Sequence, residues 1–408
     1  MYHKKSFKFW SVMLICLFLL VGCSQKESEE NHEMKWEDCN TVEEKVAYQM
    51  EHLSLKEKIG QMLIVPYYSS TFDNVLQTAW TTNQPGGFIM FPENFSSYEK
   101  TLAFVEQLES LSKIPPFISI DQEGGRVQRL KTLEDATITV FPPMLEVGET
   151  EDTAISKEAG KAMAEELRVF GINMDFAPVL DVYSNPDNTV IGNRSFGRDV
   201  TTVTNMGLSF AEGLKEAGII PVYKHFPGHG NTATDSHYDV PIVTKTKEEL
   251  LASDLIPFQK AIDQGANVIM VGHIAVPTIT GDDTPASLSS KLITDLLKEE
   301  MGFSGLVVTD ALNMGALTNH YSEKEIYEKA INAGVDLLLM PSSSSDAIKL
   351  IQESIDDGTI SPSQIDASVQ KILTLKYQQL RQEKLPKDYL GSLEHQEVIQ
   401  KIQEKANN

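Results

Sequence analysis

The chain has 408 residues, 41% hydrophobic and 23% charged, the profile of a globular protein with apolar material for a sizeable core. Its formal net charge of −23 excludes nucleic acid as a partner, because phosphate recognition needs a basic footprint. Length alone admits two or three domains, but a single α/β barrel fits equally well.

Lys4, Lys5 and Lys8 form a positive n-region, followed by the apolar run FWSVMLICLFLLVG, Phe9 to Gly22. That run is short for a bilayer-spanning helix, which needs about 20 residues, and reads as an export signal over 1–22. Its ending, LVGC, resembles the bacterial lipobox. This implies cleavage before Cys23, a lipid on that cysteine, and attachment to the outer face of the cell membrane. The polar stretch SQKESEENHEMK, Ser24 to Lys35, is too rich in charge to bury a core. A flexible tether is therefore expected over 23–44. Of the three cysteines, Cys16 leaves with the signal and Cys23 carries lipid. Cys39 then has no cysteine left to pair with, and no cysteine-based metal site is possible.

From about residue 45, short apolar runs alternate with longer amphipathic segments. The runs are IGQMLIVPYY, GGFIMF, PPFISID, INMDFAPVLDV, IIPVYKHF, ANVIMVGHI, GLVVTDAL and VDLLLMP. Unbroken runs of this kind suit strands buried on both faces, as in a parallel sheet. Between them, DTAISKEAGKAMAEELRVF (Asp152 to Phe170) and KEELLASDLIPFQKAI (Lys247 to Ile262) are predicted helices. Gly171, Gly218, Gly265 and Gly334 each stand just before a strand, where a helix C-cap and αβ turn need them. Eight alternating units, without a Gly-rich dinucleotide turn after the first strand, predict a single (β/α)8 barrel of the TIM type with no second domain. The barrel domain is expected over 45–390, its last helix lying in SQIDASVQKILTLKYQQL (Ser363 to Leu380), with a polar tail over 391–408.

In such a barrel the active site lies at the C-terminal ends of the strands. The third predicted strand ends in Asp121, the fourth in Asp181, the fifth in Lys224 and His225, the sixth in His273 and the seventh in Asp310. A ring of carboxylates, lysine and histidine suits a substrate with many hydroxyls. The segment KHFPGHGNTATDSH, Lys224 to His237, holds three histidines, His225 at the strand end and His229 and His237 beyond it. His225 and His229 have the spacing of a helical zinc motif, but Pro227, Gly228 and Gly230 oppose a helix, so no metal is expected. No Gly-x-Ser-x-Gly elbow accompanies a strand and helix. Asp235 and His237 have the form of an orienting carboxylate and a general acid/base, with Asp310 as a second carboxylate. His229, between two glycines, reads as a loop brace. His273 is expected to contact either substrate or a loop.

These residues resemble glycoside hydrolase family 3, in its β-N-acetylglucosaminidase branch. The likeness runs from about Asn40 to Leu390 and rests on DQEGGRVQRL, MDFAPVLDV, NRSFGRD, KHFPGHGNTATDSH and VVTDAL. It implies Asp310 as nucleophile and His237 as acid/base assisted by Asp235. It also implies sugar binding by Asp121, Arg129, Arg194, Lys224 and His225, and no cofactor. Most family glucosidases draw a carboxylic acid from a second domain, which leaves the loop histidine for that role here. The family loop often has Asp where Asn231 stands, beside an intact Asp-x-His pair. The implied substrates are GlcNAc-MurNAc muropeptides or chitooligosaccharides. A phosphorylase and a catalytically inactive sugar-binding lipoprotein are the alternatives. Lys224 and Arg194 are expected to lie beside Asp310 and keep it ionised.

Overall fold

The computed structural model describes residues 35–230, 232, 239–380 and 383–406. The expected signal segment, Cys23, Asn231 and the Asp235–His237 pair lie outside these residues.

Eight parallel strands form in chain order: β1 (Leu63–Pro66), β2 (Gly87–Met90), β3 (Phe117–Ile120), β4 (Met174–Asp175), β5 (Ile220–Phe226), β6 (Val268–Val271), β7 (Leu306–Thr309) and β8 (Leu338–Leu339). Each hydrogen-bonds to its sequence neighbour, and β1 also pairs with β8 through Leu63 and Leu338. A parallel bridge between Val308 and Leu337 joins β7 to β8 and closes the ring. The Thr309 N–H donates to the Leu337 carbonyl at 3.0 Å across that seam. Every predicted strand is present, and all but Pro66 of their residues are buried. Helices outside and side chains inside cover both faces, which is why the strands are unbroken in apolarity rather than alternating. The four turn glycines all take positive φ, from 75° at Gly265 to 100° at Gly334, as a left-handed C-cap requires.

Several expectations are corrected. Ile59 to Gln61 end the helix Leu55–Gln61 rather than begin β1. They are buried, and a buried helix face is as apolar as a strand. β4 has two residues because Pro178 removes a ladder donor; pairing resumes at Val179, which bridges Lys224. The predicted helix over 247–262 is two, Lys247–Leu251 and Ile256–Asp263. The break lets Asp254 turn inward to 2% exposure, where it pairs with Lys245, and Pro257 opens the second helix where a proline fits. Thr153–Val169 and Pro362–Gln379 are helices as expected.

The ordered body is also larger at both ends than the sequence suggests. Trp36, inside the expected tether, sets its ring 5.7 Å from Tyr48 and 5.9 Å from Tyr377, and Cys39 is buried. The expected polar tail contains the helix Leu393–Ala406, whose Val398, Ile399 and Ile402 are buried. It docks against Thr153–Val169 through Lys401–Glu158 at 2.7 Å and Lys405–Asp152 at 2.5 Å. Among the described residues, no helix is long and apolar enough to cross a membrane.

Candidate active site

A cavity of about 530 Å3 opens at the C-terminal ends of the strands and holds Asp121, Glu123, Arg129, Arg194, Lys224, His225 and Asp310 in its walls. Its size suits one sugar-sized ligand. All five residues linked to sugar binding by the resemblance therefore share one cavity with Asp310.

The first wall comes from the turn after β3. Asp121 and Glu123 are two apart, so they emerge on the same side as the chain leaves the strand. Gly124 and Gly125 then reverse the chain at φ 105° and 55°. A Cβ on Gly124 would stand 2.7 Å from the Pro142 carbonyl oxygen, and one on Gly125 2.9 Å from Pro143 Cα, so only glycine fits this turn. The Gln122 side chain receives the Arg129 N–H at 2.7 Å and fixes the returning strand of the loop. Arg129 thereby reaches Asp121 at 3.4 Å.

From the opposite side β5 delivers Lys224, whose ammonium sits 2.9 Å from Asp121 and 2.5 Å from Glu123. Arg194 grips Glu123 with two bonds, Nε at 2.7 Å and a terminal nitrogen at 2.8 Å. Lys224 and Glu123 are each only 2% exposed. Burial raises the Glu123 carboxyl, but Arg194 and Lys224 outweigh it and hold the group far below the usual carboxylate range. Burial likewise opposes the Lys224 charge, and Asp121 and Glu123 overcome it. Removing one partner of such a lattice leaves an uncompensated buried charge, at a cost of about 3–5 kcal/mol. The cations are thus fixed before any ligand arrives.

Asp310 follows β7 directly. Its backbone N–H donates to the Val271 carbonyl at 2.9 Å, and its carboxylate accepts the Ala311 N–H at 2.8 Å. Burial raises this carboxyl, yet its surroundings, the Ala311 N–H and the Lys224 ammonium among them, hold it below its ordinary range. Lys224 acts on Asp310 as expected, and Arg194, whose guanidinium grips Glu123, lines the same cavity.

The ring of strand-end residues divides in two. Asp121, Lys224, His225 and Asp310 line the cavity, whereas Asp181 and His273, both 0% exposed, stand behind it. His273 Nε2 donates to the Ala311 carbonyl at 2.9 Å, and Nδ1 meets the Ser287 hydroxyl at 2.8 Å. It braces the turn that carries Asp310, the loop contact among its two expected roles. His229 lines the cavity and is also a brace. Its Nδ1 lies 2.7 Å from the Thr232 hydroxyl, its carbonyl accepts from Asn188 at 2.7 Å, and burial lowers its imidazole pKa.

Three features escape the sequence reading. Glu123 is the hub of the charge lattice, and its spacing from Asp121 was the available signal. Asp175, fully buried on β4, accepts the Gln122 N–H at 2.9 Å, and burial raises its carboxyl well above the ordinary value. Met270, Met314, Leu339 and Met340 give the cavity an apolar wall against the charged one; methionines inside strand and loop runs carry no signal separating them from core. Asp235 and His237 lie outside the described residues, and among the described residues no group of three or more His, Cys, Asp or Glu could hold a metal ion.

Comparison with known proteins places this geometry. Residues 54–375 match the glycosyl hydrolase family 3 N-terminal domain. The β-hexosaminidase LpqI of Mycobacterium tuberculosis is 34% identical over 332 residues, covering 79% of this chain and 83% of its own length. β-Hexosaminidase A of Pseudoalteromonas piscicida is 33% identical over 319 residues, 71% of this chain, which spans 53% of that longer protein. A family 3 β-N-acetylglucosaminidase from a Paenibacillus species superposes with a TM-score of 0.81 at 34% identity, over 87% of this chain and 69% of that one. The chain is an enzyme of glycoside hydrolase family 3, in its β-N-acetylglucosaminidase branch.

Proposed function

We propose that the enzyme removes terminal GlcNAc from β-linked saccharides with retention of configuration, using Asp310 as nucleophile and His237, assisted by Asp235, as acid/base. The observation that carries this reading is Asp310 in one cavity with the fixed lattice of Asp121, Glu123, Lys224 and Arg194. Asp310 attacks the anomeric carbon as the bond to the leaving oxygen breaks, and His237 gives that oxygen a proton. Water then attacks the same carbon, passes its proton to His237, and frees Asp310. The charged wall orients the hydroxyls, and the methionine wall takes the apolar faces of the sugar and its acetyl group. The substrate proposed first is the GlcNAc-MurNAc unit of cell-wall muropeptides, with chitooligosaccharides second. Incubation with GlcNAc-MurNAc and chitobiose, with and without inorganic phosphate, tests this: free GlcNAc is expected in both buffers. A sugar 1-phosphate formed only with phosphate would replace hydrolysis by phosphorolysis, and no turnover of either substrate would leave a binding protein.

We further propose that lipid on Cys23 holds the enzyme at the outer face of the membrane. A single acyl chain binds only marginally, so stable attachment needs more than one. Cys23→Ala is expected to release the protein from the membrane fraction or leave it unprocessed. Unchanged lipid labelling of that variant would refute the assignment.

A further inference from the structure

Asp181 is the most completely engaged carboxylate behind the cavity. Its Oδ1 accepts the His229 N–H at 2.6 Å and, more weakly, the His225 N–H at 3.4 Å. Its Oδ2 lies 2.7 Å from His225 Nδ1. Its backbone carbonyl accepts the hydroxyl of Ser195, next to Arg194, at 2.6 Å. The segment that follows is clamped to the β5 loop: a Cβ on Gly230 would fall 1.8 Å from the Val182 carbonyl oxygen. With burial complete, this carboxylate has no solvent alternative, and hydrogen bonds to the ionised form keep it ionised.

The donors decide the state of His225. Both oxygens of an ionised carboxylate only accept, so Nδ1 of His225 carries the proton. In the neutral ring Nε2 then bears a lone pair. That nitrogen faces the Arg194 guanidinium at 3.5 Å, a group that can only donate, and His225 lines the cavity. Donors on one side of the ring and an acceptor on the other specify a single tautomer.

We propose that Asp181 is a positioning residue that fixes His225 as a hydrogen-bond acceptor toward the substrate, by holding the proton on Nδ1. It does not touch the sugar; it acts through His225. The kinetic part of this inference rests on the GlcNAc-hydrolase reading, while the tautomer part does not. Asp181→Asn is the informative change because it keeps the shape and removes one acceptor. An amide has one oxygen for three donors. If that oxygen serves the two backbone N–H groups, its NH2 faces Nδ1, which must then accept, and the imidazole proton moves to Nε2. The ring now presents a donor to the cavity and to Arg194. The same logic governs the buried carboxylate behind a catalytic histidine.

The test combines nitrogen-15 NMR of the histidine-labelled full chain with kinetics on an aryl β-N-acetylglucosaminide. The His225 signals are assigned by their loss in His225→Gln. The wild type is expected to show the proton on Nδ1 and Asp181→Asn to show it on Nε2. In the variant kcat/KM should fall about 10- to 100-fold, the scale on which losing the partner that orients a metal-binding histidine acts. If Asp181→Asn does not fold, the wild-type spectrum alone decides, because a proton on Nε2 there overturns the proposal. So does a loss of activity with the tautomer unchanged, or a changed tautomer with kcat/KM within about threefold of wild type. A wild type inert on the aryl substrate would instead sink the GlcNAc-hydrolase reading, with the tautomer result still standing.

Discussion

Asp310→Asn is expected to lower kcat/KM on every β-N-acetylglucosaminide by about 10^4-fold or more, the scale on which loss of a covalent nucleophile acts. The substitution is nearly isosteric, and the bond from the Ala311 N–H can be kept by the amide oxygen. The His273 brace acts on the Ala311 carbonyl rather than on the carboxylate, so the turn should hold its shape. Substrate binding through Asp121, Lys224 and Arg194 should therefore survive, and competitive inhibition by GlcNAc should persist in the variant. Because the Asp310 carboxyl is held below its ordinary range, the wild type should keep its nucleophile ionised throughout mildly acidic solution. Loss of activity on acidification would then report another group. A variant with more than about a tenth of wild-type activity would remove Asp310 from the nucleophile's role.

The second large effect concerns His237 and depends on the leaving group. A phenol of low pKa departs without a proton, so His237→Ala should retain the first chemical step on an activated aryl substrate. Cleavage of GlcNAc-MurNAc should nearly cease, since a sugar alkoxide leaves poorly unless protonated, and general acid catalysis contributes about 10^2- to 10^4-fold. Water activation in the second step is impaired as well, so a burst of phenol and rescue by azide are expected. Asp235→Asn should give a weaker form of the same pattern, the imidazole remaining without its support. Equal losses on both substrates, with no azide rescue, would overturn the acid/base assignment.

Much of this architecture was legible because a closed parallel barrel writes itself plainly in sequence. Its strands are buried on both faces, as in Val268–Val271, and its αβ turns need positive φ, as at Gly171 and Gly334. What stayed hidden has physical causes. The helix Leu393–Ala406 buries a narrow stripe, His395, Val398, Ile399 and Ile402, in a segment otherwise mostly of Glu, Gln and Lys, so its composition resembles a solvated tail. The break at Asp254 is set by a pairing with Lys245 that no local pattern encodes. Within the site, polar residues at strand ends were visible, but not which side of the barrel wall they face. Asp181 and His273 end apolar runs just as Asp121 and Asp310 do, yet they serve as braces. That division depends on the trajectory of the chain after each strand, which here is set by Pro178 and by contacts with Ser195 and Ser287. Glu123 was obscured for the opposite reason. It lies in a glycine turn that reads as loop, and becomes the hub of the lattice only when Lys224 and Arg194 arrive from residues 101 and 71 positions away, by the difference of their numbers.

The central claim, a covalent glycosyl-enzyme on the carboxylate that ends β7, is tested most directly by trapping it. A 5-fluoro derivative of an activated β-N-acetylglucosaminide slows both chemical steps, while the good leaving group still lets the first proceed. After incubation, mass spectrometry of a protease digest should find one added sugar, ester-linked, on the peptide containing Asp310. Asp310→Asn should take up none. A label on another carboxylate, or steady turnover of the reagent by the wild type with no protein-bound sugar at any time, would contradict the account.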